Sequence, residues 1–595
     1  MENLKALFIN SIFKIERDTF PIGLVSLCSI LKNAGYEVDI VDFSVLTREH
    51  RFSKSSFENC DIEAFAKYIL SLKPVLLSFY TMANSMHVSL ALAKYIKETQ
   101  SDIKVIFAGP QASVCAEDLM CAFSFIDLIA IGEGESTVES LFYALKNELD
   151  FSAIPGIVYR SGKNVKQNPL PSLIGDLDEL PMLDLSFVPS ISNFKRIMIE
   201  VGRGCPYGCA FCSTNFFWER KYRLKSNKRI LKEVSEMKNL YNISEFSFLH
   251  DSITADKKKF RDLCEKIITE EMYFSWSCSS RVDLLDRELI SLMSKAGCRS
   301  IFIGIESGSP RVQKLIKKNL NLGEVQPVVR SLIENNIEVT ASFMYGFPGE
   351  NEDDVSLTLE MIHLLLTIGV KTVQIHPLSV LRGTELYSKH KHELRIDRKS
   401  KLFSNFCFGG NSSAYADMFA DYPSIFPQFY EITSANKKLA NLHCFVNYIM
   451  NKLYSSCKLS FGNMVNFYDG NLLRIFFAFD PYIDEIEDGI IKISDQKLTL
   501  NEFWVLILEL VLRFFESSFF GDKDFEYKCC YKFEFDFNIF CLSMKENQIV
   551  KYDFDATRLY SDYENFTELL QVTNIKFVRV GNKVRFKKVL SHQEA

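Results

Sequence analysis

Three cysteines stand in one short stretch, Cys205-Pro-Tyr-Gly-Cys209-Ala-Phe-Cys212. Thiolate is the ligand that iron–sulfur clusters take. Three thiolates at these intervals on one loop, with small residues between them, can wrap three corners of a [4Fe–4S] cubane and leave the fourth iron open. A zinc half-site or a set of free thiols is the competing reading. Zinc needs a fourth ligand, for which His250 is the nearby donor, and the position of the loop directly after a strand argues against a closed structural site. Two other segments have the character to hold a small ligand. In Gly304-Ile-Glu306-Ser307-Gly308-Ser309 the glycines admit a ligand against the backbone and the carboxylate can accept bonds from a ribose. In Ser280-Arg281-Val282-Asp283 the arginine can fork onto a carboxylate or a substrate anion, or pair with Asp283 or Glu306. Asp251 is a candidate ligand contact or a helix N-cap. Gly346-Phe-Pro-Gly349-Glu350 reads as an architectural turn.

These segments share a setting. From residue 195 a βα series starts, with strands expected at 196–201, 244–249, 274–279, 300–305, 337–344 and 371–379, each separated by room for a helix. Six parallel strands with outer helices predict a partial (β/α)6 barrel over 191–400, with its chemistry in the loops after the strands. Ahead of it, residues 1–150 alternate short apolar runs (5–10, 37–42, 74–79, 103–108, 126–131) with helical patterns, which predicts a Rossmann-like, doubly wound parallel sheet that binds ligands at the carboxyl ends of its strands. The loops there carry Ser78 and Thr81, Gly109 and Gln111, and Gly132-Glu133-Gly134. No G-x-G-x-x-G follows the first strand, so a dinucleotide is not expected. Residues 151–190, punctuated by Pro155, Pro169, Pro171, Pro181 and Pro189, read as a connector. From 401 to 595 the chain becomes aromatic-rich and predicts a mixed α+β unit that caps the barrel and helps select substrate, with a helix at 501–517 and a strand at 532–539. Cys529 and Cys530 read as ordinary thiols, because adjacent cysteines cannot easily chelate one metal.

The three-cysteine spacing resembles the signature of the radical S-adenosylmethionine (SAM) superfamily over about residues 195–387. The resemblance implies that the open iron chelates SAM, that one electron cleaves it to methionine and a 5′-deoxyadenosyl radical, and that Phe211 lies near the adenine. Glu306 and Ser307 fall in a segment similar to the family's "GIESGS" stretch, and Asp251 sits where the superfamily places a contact to the SAM amino group, though here in an acidic form. Over residues 1–150 the loops look like the cobalamin-binding domain of class B radical SAM methyltransferases. The Asp-x-His-x-x-Gly of other cobalamin proteins is missing, and the domain's histidines are His50 and His87. That implies base-off binding with no histidine on cobalt, His87 being read as a solvated loop residue. The expected activity is methyl transfer to an unactivated carbon or phosphorus. The alternatives are a cobalamin-dependent rearrangement, cyclisation or oxidation, or a corrinoid or redox sensor with a vestigial cluster.

The bulk properties bound the partners. The chain has 595 residues, 47% of them hydrophobic, enough for several cores. With a net charge of −6 and pI near 6.0 no basic face gathers phosphates, so nucleic acid is not expected and a small molecule or peptide is. No apolar run reaches the roughly 18 residues of a membrane span. Sixteen cysteines without an export signal point to the reducing cytoplasm. The electron would come from a reductase or a flavodoxin-type donor.

Overall fold

The computed structural model describes residues 5–11, 19–48, 61–396, 415–432 and 437–456, pieces between 461 and 514, and strands at 547–552, 573–580 and 583–589. The chain divides into two compact units. One comprises 1–305, 310–350 and 377–436, the other 306–309, 351–376 and 437–595.

The first unit opens with the expected parallel sheet. Strands β1 (Ala6–Asn10), β2 (Val38–Asp42), β3 (Leu76–Tyr80), β4 (Lys104–Ala108) and β5 (Leu128–Ala130) run in the order 2-1-3-4-5, with parallel pairing throughout. Both faces are covered, which is why the strands read as unbroken apolar runs. Leu7, Ile9, Leu77, Phe79, Val105 and Phe107 face one core, and Ala6, Phe8, Leu76 and Ile106 the other. The sheet continues past residue 150. β6 (Ile157–Ser161) and β7 (Asn164–Gln167) add to β5 as an antiparallel hairpin. The prolines expected to mark a connector flank these strands instead of interrupting them.

The barrel series follows. β8 (Ile197–Glu200) leads into a two-stranded antiparallel ribbon of β9 (Gly202–Arg203) and β10 (Arg223–Leu224). Then come β11 (Glu245–Leu249), β12 (Ser275–Ser280), β13 (Cys298–Glu306) and β14 (Glu338–Tyr345). β8, β11, β12 and β13 pair in parallel, and β14 lies beside β13. Phe246, Phe248, Trp276 and Cys278 point outward and are buried.

Two expectations are corrected here. The C-terminal region does not begin as a separate body at residue 401, because Tyr415, Phe419, Ile425, Phe426 and Phe429 join one core of the N-terminal sheet. His87 is not a solvated loop residue. It lies in the first turn of the helix Met86–Thr99, 2% exposed, its ring enclosed by Tyr415, Phe419 and Phe429. Those rings come from more than 300 positions further along the chain, a distance over which periodicity carries no signal.

In the second unit, strand β15 (Thr372–Pro377) completes the barrel series in sequence. Its Val373 and Ile375 backbone groups are bonded by the side-chain amides of Asn451 and Asn447, at 2.7–3.1 Å. A three-stranded antiparallel sheet, 547–552, 573–580 and 583–589, lies near the C-terminus. His50, Cys529, Cys530 and the expected strand at 532–539 lie outside the described residues, as does most of the expected helix at 501–517.

Candidate functional site

The loop with the three cysteines spans the mouth of the β9–β10 ribbon at the carboxyl end of β8. It is pinned on its far side by backbone bonds, Ala210 N–H to Ile316 O at 2.8 Å and Leu386 N–H to Ala210 O at 3.0 Å. At Gly204, φ is +88°, and a Cβ would lie 2.0 Å from the Lys221 carbonyl oxygen, so only glycine can turn the chain there. Cys205, Cys209 and Cys212 are half-buried. The Cys205 thiol is pushed up to about 11, first by desolvation, with Asp251, Cys212 and Cys209 adding negative charge around it. A cationic body bound there would offset that cost at Cys205. Among the described residues no three Cys, His, Asp or Glu side chains converge on a single-ion position. A cubane asks for something else, three thiolates spread around a body several atoms wide, and this donor set fits it. Phe211 turns into a small core with Val312, Ile316, Phe347 and Leu386, its ring 6.2 Å from that of Phe347.

Around the loop the expected residues sort themselves. Asp251 is open to solvent yet crowded by protein on its other sides, and desolvation raises its carboxyl from the ordinary range against bonds from Thr214 and the Gly204 backbone. It caps no helix; Asp256 does that for Lys257–Thr269. Of the partners open to Arg281, Asp283 takes its fork. Its Nε and Nη2 already grip Asp283 at 3.0 and 2.8 Å. The Gly346–Glu350 turn is architectural as read, the Glu350 carboxylate accepting from Gly346 N–H at 2.5 Å and Phe347 N–H at 3.2 Å.

Glu306 ends β13 with φ at +70° and is 8% exposed. A left-handed glutamate is strained, and such strain gathers at functional sites. Its neighbours are structural. Ser309 donates to Asp354 at 2.6 Å, Ser307 shares a bond with Thr358 at 3.1 Å, and a Cβ on Gly308 would lie 2.3 Å from the Leu357 carbonyl oxygen. Gly308 is therefore required by close helix packing, not by ligand access.

In the N-terminal domain the loops expected to form the ledge lie at the carboxyl edge of the sheet. Thr81 Oγ1 donates to Ala108 O at 2.8 Å and accepts from Ala112 N–H at 3.1 Å, and Gln111 N–H bonds Thr81 O at 3.1 Å. Gly109 and Gly132 take φ of +95° and +87°, Gly132 exposed and Gly109 half-buried. Ser78 is buried within β3, and Gln111 turns its amide to Ile425 O at 2.7 Å. The strand order reverses between β1 and β3, and ligands of such sheets lie at that switch point. Thr81 follows β3 beside that point, and Gly109 and Gly132 follow β4 and β5 along the same edge, a set of donors and tight turns of the kind a corrinoid's amides and nucleotide tail need. Glu133 is not free to touch such a ligand. Burial works to raise its carboxyl, and bonds from Arg223, Ile174 and Arg203 overcome that and hold it below its usual range. The bonds to Arg203 Nη1 and Arg223 Nη1 are 3.0 and 2.9 Å. Arg203 also reaches Glu135 at 2.6 Å and Glu200 at 3.0 Å. Since Arg203 stands two residues before Cys205, the Gly132–Gly134 ledge and the cysteine loop are tied by buried ion pairs.

Residues 199–362 match the Radical SAM superfamily and residues 11–142 match the B12 binding domain. The chain carries a radical SAM domain and a B12-binding domain. An uncharacterized methyltransferase of Pyrococcus horikoshii is 28% identical to it over 345 residues, 57% of this chain and 72% of that protein. An anaerobic magnesium-protoporphyrin IX monomethyl ester cyclase of Synechocystis is 24% identical over 351 residues, 58% of this chain and 68% of that one. The fold is that of the cobalamin-dependent S-adenosylmethionine radical enzyme OxsB solved with aqua-cobalamin, with a TM-score of 0.60 at 16% identity, covering 90% of this chain and 84% of OxsB. Membership of these families implies a [4Fe–4S] cluster, SAM and cobalamin as cofactors. Among the described residues no helix is long and apolar enough to cross a membrane.

One set of residues in this radical SAM barrel belongs to no motif. The inner face of the strands carries Ser247, Ser277, Ser279, Ser300 and Thr340 around a cavity of about 250 Å³, with Phe302 40% exposed among them. The sequence carries the signal as strict alternation, Ser275-Trp-Ser-Cys-Ser279, which sets small hydroxyls on one face of β12 and Trp276 and Cys278 on the other.

Proposed function

We propose that this enzyme transfers a methyl group to an unactivated carbon or phosphorus of a small-molecule or peptide substrate in a biosynthetic pathway. The observation that carries the reading is the buried Arg203–Glu133 bond, 3.0 Å long, which joins the loop suited to a cluster to the ledge suited to a corrinoid. Two such sites held against each other suit a reaction that uses both cofactors on one substrate. The relative named a methyltransferase supports it. Cys205, Cys209 and Cys212 would hold the cluster. Glu306 would meet SAM, with Ser307 holding that segment through Thr358, Asp251 toward the SAM amino group and Phe211 behind the adenine. Ser78, Thr81, Gly109, Gln111, Gly132, Glu133 and Gly134 would frame the corrinoid, Glu133 through its arginines. When bound, these groups supply one-electron cleavage of SAM and carriage of a methyl group. The protein's part is to fix the two sites, to keep the barrel interior small and hydroxyl-lined, and to offer those hydroxyls to polar atoms of the substrate.

The test is anaerobic turnover with SAM, cobalamin and a flavodoxin-type reductant on metabolites of the neighbouring genes. S-adenosylhomocysteine is expected beside 5′-deoxyadenosine. 5′-Deoxyadenosine alone would transfer the reading to rearrangement, cyclisation or oxidation, the chemistry class to which a cyclase relative belongs. Neither product would make the chain a sensor.

A further inference from the structure

Arg281 is held on three sides. Its Nε and Nη2 grip Asp283 at 3.0 and 2.8 Å, Nη2 also donates to Lys318 O at 2.9 Å, and the guanidinium carbon lies 4.0 Å from the ring centroid of Tyr207. Tyr207 is itself part of the cysteine loop. These contacts fix the guanidinium plane and leave Nη1, which donates to Cys209 Sγ at 4.0 Å. The side chain is only 9% exposed, so water does not screen this charge as it would at the surface. Arginine does not lose its proton in proteins. A permanent positive charge therefore faces one of the three candidate cluster sulfurs, while its counter-ion Asp283 holds the other edge of the guanidinium.

Hydrogen bonds to cluster sulfurs and the net charge around a cluster set its reduction potential. A cluster that has gained an electron carries more negative charge on its sulfurs, so a donor aimed at one of them favours the reduced form. We propose that Arg281 is a positioning residue that raises the reduction potential of the cluster by donating from Nη1 to Cys209, with Asp283 moderating the effect. The proposal rests on the reading of the cysteine loop as the cluster site. It gives Arg281 a different task from the SAM contact that its place after β12 suggests.

The experiment compares wild type, Arg281→Gln, Arg281→Lys and Asp283→Asn, each reconstituted with iron and sulfide. Iron is counted first, and the midpoint is then read by electron paramagnetic resonance during a reductive titration without SAM. Arg281→Gln should disfavour one-electron reduction by about tenfold, a midpoint lower by ~59 mV. Asp283→Asn should move the midpoint the opposite way, because it removes negative charge while Tyr207 and Lys318 still hold the guanidinium, and Arg281→Lys should fall between Arg281→Gln and wild type. A merely structural role would not give shifts of opposite sign. Equal midpoints, or shifts of one sign in Arg281→Gln and Asp283→Asn, would overturn the proposal. If Arg281→Gln fails to hold iron, Asp283→Asn decides alone: a raised midpoint supports the tuning role and an unchanged or lowered one ends it. Failure of the wild type to bind iron would sink the cluster reading itself, a separate result.

Discussion

Two largely parallel sheets among the described residues use their faces in opposite ways. In the N-terminal sheet, neighbouring residues such as Leu7 and Phe8 both vanish into cores, at 0% and 1% exposure, so the sheet is closed on both faces and can meet a ligand only at its end. In the barrel, Trp276 and Cys278 are buried while Ser277 and Ser279 between them remain partly open. One face is core and the other lines a cavity. A fully closed barrel fills its interior with branched apolar side chains. Replacing that layer with serines leaves a cavity lined with groups that both donate and accept.

The sharpest way to break this comparison is at the loop that belongs to the barrel alone. Changing Cys205, Cys209 and Cys212 together to Ala should abolish bound iron completely while cobalamin content, read by visible absorption, stays at the wild-type level. Loss of both would mean that the two sites do not have separate owners.

Next comes the contrast between faces of a single strand. Trp276→Ala should cost about 3–5 kcal/mol of stability because it hollows the outer core, whereas Ser279→Ala, one layer inward, should stay within about 0.5 kcal/mol. Chemical denaturation of the two variants side by side reads this. Similar costs would show that the serine face is packed and not open.

Glu306→Gln keeps the shape and the left-handed backbone and removes only the charge. Loss of a charge-assisted bond of about 1.5–3 kcal/mol predicts roughly 10- to 100-fold weaker SAM binding with the corrinoid retained. Calorimetry with SAM checks it. Unaltered affinity would remove Glu306 from the SAM site.

At neutral pH the smallest effect lies in the closed N-terminal domain, and it grows as the solution is acidified. Burial draws the His87 imidazole down to about 3, so it stays neutral in the fold at pH values where the unfolded chain protonates it. Acid then favours unfolding, and stability should fall as pH drops from about 6.5 toward 3, by ~1.4 kcal/mol per unit at most from this group. His250, drawn down to about 4 for the same first reason, adds to the slope. His87→Phe should flatten the profile by its own share. The same variant should leave the Co(II) resonance spectrum free of change, since a ring enclosed by Tyr415, Phe419 and Phe429 is not a cobalt ligand.

Much of the fold was legible because its signals are local. Short apolar runs gave β1 to β5 to within a residue or two, and the βα rhythm gave the barrel strands. Cysteine spacing placed the loop. What was not legible depends on residues distant in sequence. The hairpin β6–β7 was hidden by prolines that border it. The aromatic cage of His87 and the bond from Gln111 to Ile425 require chain returning from beyond residue 415. The fate of a charged group was the hardest to read, since Arg281 had several plausible partners and only geometry shows that Asp283 takes its fork while Cys209 receives what is left.

A barrel left incomplete exposes the last strand of its series, and a bare strand edge is a template on which another chain can add, the first step of aggregation. The asparagine amides over Val373 and Ile375 remove that opportunity. Each presents a carbonyl oxygen and an N–H at the spacing of a peptide group, so Asn447 and Asn451 act as a two-rung counterfeit strand, with bonds of 2.7–3.1 Å. At these two residues the lateral growth of the sheet is terminated by side chains, which can satisfy the ladder but cannot themselves extend it.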